Sequence, residues 1–162
     1  MPLLRRGEIA ADPFTRVHGD DALPDETGVI VDLARWQREK GDLIGRAGGV
    51  GVELAAGESP DQIAEDLDHL AVIALEFPAF NDGRAFSSAR LLRERYHYQG
   101  EIRAVGDVLL EQLHFMSRVG FDSFQIDSDD PSQDWKTAQS DMQLWYQPTE
   151  DGRTTIREKR RR

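Results

Sequence analysis

Short apolar runs alternate along this chain with longer stretches whose apolar residues recur every three to four positions. "VGVEL" (50–54), "VIALEF" (72–77), "EIRAVG" (101–106) and "DSFQI" (122–126) predict strands, and "GVIVDL" (28–33) predicts one ahead of them. The stretches between them read as helices. Asp32 is placed to cap "LARWQREKGDLIGRAGG", which carries Leu33, Trp36, Leu43 and Ile44 on one stripe and ends at Gly48-Gly49. "GESPDQIAEDLDHL" opens with Ser59 at the N-cap, Pro60 at the first helical position and Gln62 two further on, a capping-box signature. In "RAFSSARLLRERY" the inward stripe is Ala85, Ala89, Leu92 and Tyr96; in "VLLEQLHFMSRVG", with Asp107 placed to cap it, the stripe is Leu109, Leu113 and Met116. Asp130 and Pro131 open a helix carrying Trp135 and Ala138, and "MQLWYQ" (142–147) alternates as a last strand would. Residues 1–27, with Pro13, Pro24 and "HGDD", predict irregular structure with one short hairpin.

Strands alternating with helices at this spacing define an α/β fold, a mainly parallel sheet of βα units wound right-handedly. Parallel strands buried on both faces read as continuous apolar runs, and these do not. Alternate positions are apolar (Val50, Val52, Leu54; Ile73, Leu75, Phe77; Ile102, Ala104; Phe124, Ile126). The positions between them are small or polar: Gly51 and Glu53, Ala74 and Glu76, Arg103 and Val105, Ser123 and Gln125. With side chains alternating faces, the helices belong on the apolar face alone. The polar second face of the sheet is then open, concave as in a half-barrel, or covered by the N-terminal segment or by a second subunit in a homodimer. The organisation expected is an irregular segment (1–27), a single α/β domain (28–147) and a basic C-terminal tail (148–162).

Composition narrows the chemistry. The formal net charge is −10, which argues against nucleic acid as a partner, since binding it rests on neutralising phosphates. The last twelve residues, "DGRTTIREKRRR", carry six Lys/Arg against two Asp/Glu, or +4, leaving −14 on the rest. There is no cysteine, so no disulfide, thiol redox centre or thiolate-held cluster can form within the chain. No apolar run reaches the roughly 18 residues of a membrane span, and a cytoplasmic location is the expectation. The four histidines show no metal-ligand spacing, and "GRAGGVGVEL" precedes a strand where a dinucleotide fingerprint would follow one.

Ligands of parallel α/β sheets sit beyond the carboxyl ends of the strands. Asn81, Asp82, Gly83, Arg84 and Asp107 lie on that edge, and Glu53, Glu76, Arg103 and Gln125 line the polar face. These nine form the candidate ligand or partner site. The polar-face residues can equally be a charge-compensated internal layer, with Arg103 between two carboxylates. For Arg84, ligand binding and a structural pair with Asp82 or Asp107 are both open. Arg90, Arg93 and Arg95 point away from the inward stripe and are expected at the surface, solvated or paired with local acids.

The blocks "FPAFNDGRAFSSARLLRERY" and "GEIRAVGDVLLEQLHFMSRVGFDSF", with "VIVDLARW" more weakly, resemble a bacterial family of small proteins of unknown function. Its members are encoded beside assimilatory sulfite reductase and labelled as oxidoreductases involved in sulfite reduction. The resemblance runs from about residue 28 to 147, with Phe77, Pro78, Phe80, Asp82, Gly83, Arg84, Arg93, Arg103, Gly106, Asp107 and Gln112 on its motif. It implies an accessory role in sulfite reduction, docking on sulfite reductase or on its electron donor. Two other expectations stand beside that one. The first is an oxidoreductase holding flavin or nicotinamide on the polar sheet face, which a cysteine-free chain would need for redox work. The second is a sensor of small oxyanions.

Overall fold

The structure, a computed structural model, describes residues 2–140, 149, 152 and 155–159. The N-terminal segment holds a hairpin of β1 (Leu3–Arg5) and β2 (Glu8–Ala10), followed by β3 (Phe14–Val17). Then come β4 (Gly28–Asp32), α1 (Leu33–Leu43), β5 (Val50–Leu54), β6 (Val72–Phe77) and α2 (Arg84–Arg90). They are followed by β7 (Glu101–Gly106), α3 (Leu113–Arg118), β8 (Ser123–Gln125), α4 (Pro131–Ser140) and the single turn α5 (Ile156–Lys159). The eight strands form one sheet in the order β2-β1-β8-β7-β6-β5-β4-β3.

From β3 to β8 the strands are parallel and lie side by side in chain order; β1 joins β8 antiparallel. That order dictates the layering. Right-handed crossovers between successive neighbours, all stepping the same way, must pass over the same face. The apolar alternate positions, Val50 through Ile126, all lie in the main hydrophobic core with Leu33, Trp36, Ala85, Ala89, Leu92, Leu113 and Met116. The single α/β sheet with helices on one face is therefore as the alternation implies.

The other face is concave. Arg16 on β3 reaches Gln125 on β8 at 3.4 Å, although four strands lie between them. In a flat sheet they would be about 24 Å apart at the usual strand spacing, so the sheet is curled into a half-barrel. Gly51 permits the close packing inside it, because a Cβ there would come within 2.3 Å of the Val72 side chain.

Several helical expectations need correction. The stretch after Ser59 is two short 3-10 turns, Pro60–Ile63 and Leu67–His69, instead of one helix. The capping box at Ser59 and Gln62 does form. The chain then bends because Asp66 is drawn onto α1, accepting from Trp36 Nε1 at 2.9 Å and from Lys40 Nζ at 2.9 Å. Asp32 caps α1 through the Arg35 amide (2.8 Å), as predicted, but the helix stops at Gly45, which takes a left-handed φ of +86°, before reaching Gly48-Gly49. Ile44 is consequently exposed. The helix after α2 continues through a π turn, Leu91–Arg95. "MQLWYQ" and most of the basic tail lie outside the described residues.

Candidate functional site

The concave face holds four of the nine candidate residues, and three of them are spoken for. Arg16 grips Glu53 with two parallel bonds, Nε to Oε2 at 2.7 Å and Nη2 to Oε1 at 2.6 Å, the fork geometry that suits guanidinium and carboxylate. Its remaining amino group reaches Gln125. Arg103 is 0% exposed; it donates to Asp12 Oδ2 at 2.7 Å and to Glu101 Oε1 at 3.0 Å, and lies over the Phe14 ring. Glu101 also accepts from Ser123 Oγ at 2.5 Å and pairs with Arg5. Arg103 thus sits between two carboxylates, but they are Asp12 and Glu101 in place of Glu53 and Glu76.

Asp12, Phe14 and Arg16 come from the N-terminal segment, which therefore covers the polar face. Ile30, Val72, Ala74 and Val105 fill the spaces between the ion pairs. A flavin or nicotinamide ring laid on this face would have to displace that paired layer, so the residues present do not fit such a cofactor there. Three arginines against three carboxylates (Asp12, Glu53 and Glu101) make the layer electrically neutral.

The fourth, Glu76, lies at the mouth, where β6 ends. Its side chain makes no hydrogen bond or ion pair among the described residues. With Leu54, Gly57, Leu75, Arg84 and Ser88 it lines a cavity of about 230 Å³ at the carboxyl edge of the sheet. Glu76 and Arg84 are thus brought together. Arg84 itself is 59% exposed and folds back on Asp82, Nε to Oδ1 at 2.9 Å and Nη2 to Oδ2 at 2.5 Å. The Arg84 backbone amide bonds Asp82 Oδ1 as well, at 3.1 Å. The Arg84 side chain, and then its amide, hold the Asp82 carboxyl down to about 2. Asn81 is exposed with no side-chain partner among the described residues, and Gly83 starts the helix, its carbonyl accepting from Phe86 N at 3.2 Å.

Asp107 does not cap the following helix. Gly106, at φ +92° and packed against the Phe77 carbonyl, turns the chain so that the Asp107 carboxylate faces the neighbouring loop and accepts from Phe80 N at 2.9 Å. Gln112 Nε2 donates to the Phe80 carbonyl at 2.7 Å. Both backbone groups of Phe80 are thereby held by side chains of the β7–α3 connection. The Phe80 ring is left 56% exposed. Phe115, three residues beyond Gln112, is 47% exposed and packs with its ring tilted 5.1 Å from Phe86, which meets the buried Phe77 edge-on at 5.2 Å. These exposed rings were not among the nine candidates. Phe80 had an available signal, a large apolar residue directly before an Asn-Asp-Gly turn.

Arg93 corrects the sequence expectation most sharply. It is a half-hidden clamp, not a surface residue, and its side chain is 15% exposed. It donates to the carbonyls of Gly120 (3.0 and 3.1 Å), Gly100 (3.0 Å) and Tyr98, and to Asp122 Oδ2 at 2.5 Å. Arg90 and Arg95 are exposed and paired with Glu94 and Asp61, as expected.

A family model described as "bacterial protein of unknown function (DUF934)" matches residues 51–157, from β5 to the last turn, starting later than the resemblance seen from residue 28. No curated protein and no solved structure matches the chain. Among the described residues no helix is long and apolar enough to cross a membrane.

Proposed function

For a chain that belongs to this DUF934 family of bacterial proteins, we propose an accessory role in assimilatory sulfite reduction, exercised by docking on sulfite reductase or its electron donor. The observation that carries the docking reading is the exposure of Phe80, two residues before the Asp82–Arg84 pair, and of Phe115 on α3. Two large rings stand in solvent: Phe80, whose backbone groups are tied down by Asp107 and Gln112, and Phe115, carried by α3. Exposed aromatics on a pre-ordered loop are the usual anchors of a protein interface, since little ordering entropy remains to be lost on binding.

The chain has no cysteine and keeps its concave face occupied by its own ion pairs, so the redox centre in this reading belongs to the partner. The pathway assignment rests on the sequence resemblance. A pull-down from the native cell at low salt, probed for sulfite reductase and its electron donor, tests it. Capture that Phe80→Ala and Phe115→Ala together abolish supports the proposal. Absence of both proteins from the eluate, with the bait folded, overturns it.

A further inference from the structure

Two residues break local backbone rules on the edge of the sheet opposite the candidate site. The β1–β2 hairpin closes through a two-residue turn, Arg6-Gly7, with φ of +50° and +89°. Positive φ at both positions is the type I′ turn, for which asparagine or glycine is the favoured first residue; arginine pays a steric penalty there. After the π turn, His97 takes φ +54° while the Tyr98 amide reaches back to the Leu92 carbonyl at 2.9 Å. This is the left-handed stop at a helix end that glycine usually fills. Among the described residues, Arg6 and His97 are the only two other than glycine with positive φ.

Both line the same cavity. It measures about 680 Å³, within the range of small-molecule pockets, and Arg93, Gln99, Ser117 and Asp122 also form its walls. Arg6 and Gln99 continue into an adjoining recess of about 360 Å³ beside Gly100. The other polar groups of the wall are already engaged. Arg93 is spent on carbonyls and Asp122, Asp122 Oδ2 also takes the Ile102 amide, and Ser117 donates to the His114 carbonyl. The side chains of Arg6 and His97 make no hydrogen bond or ion pair among the described residues. Strain retained where a glycine would serve, at two separate points of the chain that converge on one cavity, has no account in packing.

We propose that this cavity is a binding site for a small molecule bearing a sulfate- or phosphate-type oxyanion, held between the Arg6 guanidinium and the His97 imidazole. The site is distinct from the docking surface around Phe80 and does not depend on it. The charged groups facing His97 are Arg6 from the hairpin, Arg93 and Glu94 from the π turn, and Asp122 ahead of β8.

The test is a titration of the full chain with sodium sulfate, followed by amide and imidazole NMR, with sodium phosphate as the second probe and sodium chloride at matched ionic strength as control. Saturable shifts at Arg6, Gly7 and His97 are expected. Arg6→Asn and His97→Gly suit the left-handed backbone, so both should stay folded and each should weaken binding roughly tenfold, as loss of one charge-assisted bond does. Parent-like binding by these folded variants, shifts confined to the Arg84 edge, or no saturation beyond the chloride control would overturn the proposal. Should either variant fail to fold, Arg6→Lys, which keeps the charge, must bind sulfate where Arg6→Gln does not.

Discussion

Asp82 is held to about 2 against an ordinary 3.8, first by the Arg84 side chain and then by the Arg84 amide. A depressed carboxyl contributes stability above its ordinary titration range and loses it as the pH falls through the folded value. The Asp82–Arg84 turn should therefore persist through the pH range in which unpaired carboxylates protonate. Carboxyl-carbon NMR should give a midpoint near 2 for Asp82 and, in Arg84→Ala, one moved back toward 3.8. Arg93 makes the opposite demonstration. Arg93→Lys can keep the charge but not the fork, leaving carbonyls at Gly100, Tyr98 and Gly120 without donors. A loss of about 2–4 kcal/mol in urea unfolding is expected. The role of Arg93 was not legible in the sequence, because its acceptors are carbonyls, which every residue has. The Asp82–Arg84 pair was legible only as one of three alternatives, beside Asp107 and a ligand, and two residues of spacing in a turn favour it.

At the scale of elements, the strands from β4 to β8 and their two faces could be read directly from alternation, whereas β3, within a segment expected to be irregular, could not. The segment from 60 to 70 was misread. Its caps and its apolar spacing at Ile63, Leu67 and Leu70 are helical, but Asp66 finds better partners on Trp36 and Lys40 than a continuous helix would allow. Asp66→Ala should free that segment from α1 and lower stability by about 1–3 kcal/mol in the same unfolding measurement, the usual cost of an orphaned Trp donor and a lost charge-assisted bond. The β6–α2 loop owes its order to another element in the same way. Asp107→Ala should leave the helices intact by circular dichroism while the Phe80 amide exchanges with solvent several-fold faster.

For the molecule as a whole, alternation is compatible with an open, a concave or a covered polar face, and the N-terminal segment reaches across it. The sequence could show that Glu53, Arg103 and Gln125 share a face, but not that Asp12, 91 positions from Arg103, closes on it. Only the curvature of the sheet brings such distant residues together. The Arg16–Glu53 pair is largely enclosed, so removing one partner leaves an uncompensated charge. Arg16→Met alone should cost about 3 kcal/mol, whereas Arg16→Met with Glu53→Leu should fall close to the parent. Thermal unfolding of the two variants side by side distinguishes a layer that specifies geometry from one that supplies stability.

The antiparallel seam between β1 and β8 has a consequence for how the chain is made. Leu4 pairs with Phe124, which is synthesised 120 positions later. At bacterial and eukaryotic elongation rates the first strand waits roughly 6 to 24 seconds for its neighbour. The parallel strands can assemble in order as they emerge, each beside the one before. The hairpin cannot, and its docking is the last event open to the sheet. Ribosome-bound chains halted before residue 123 should therefore hold the β4–β7 core in a protease-resistant form while the first ten residues remain cleavable.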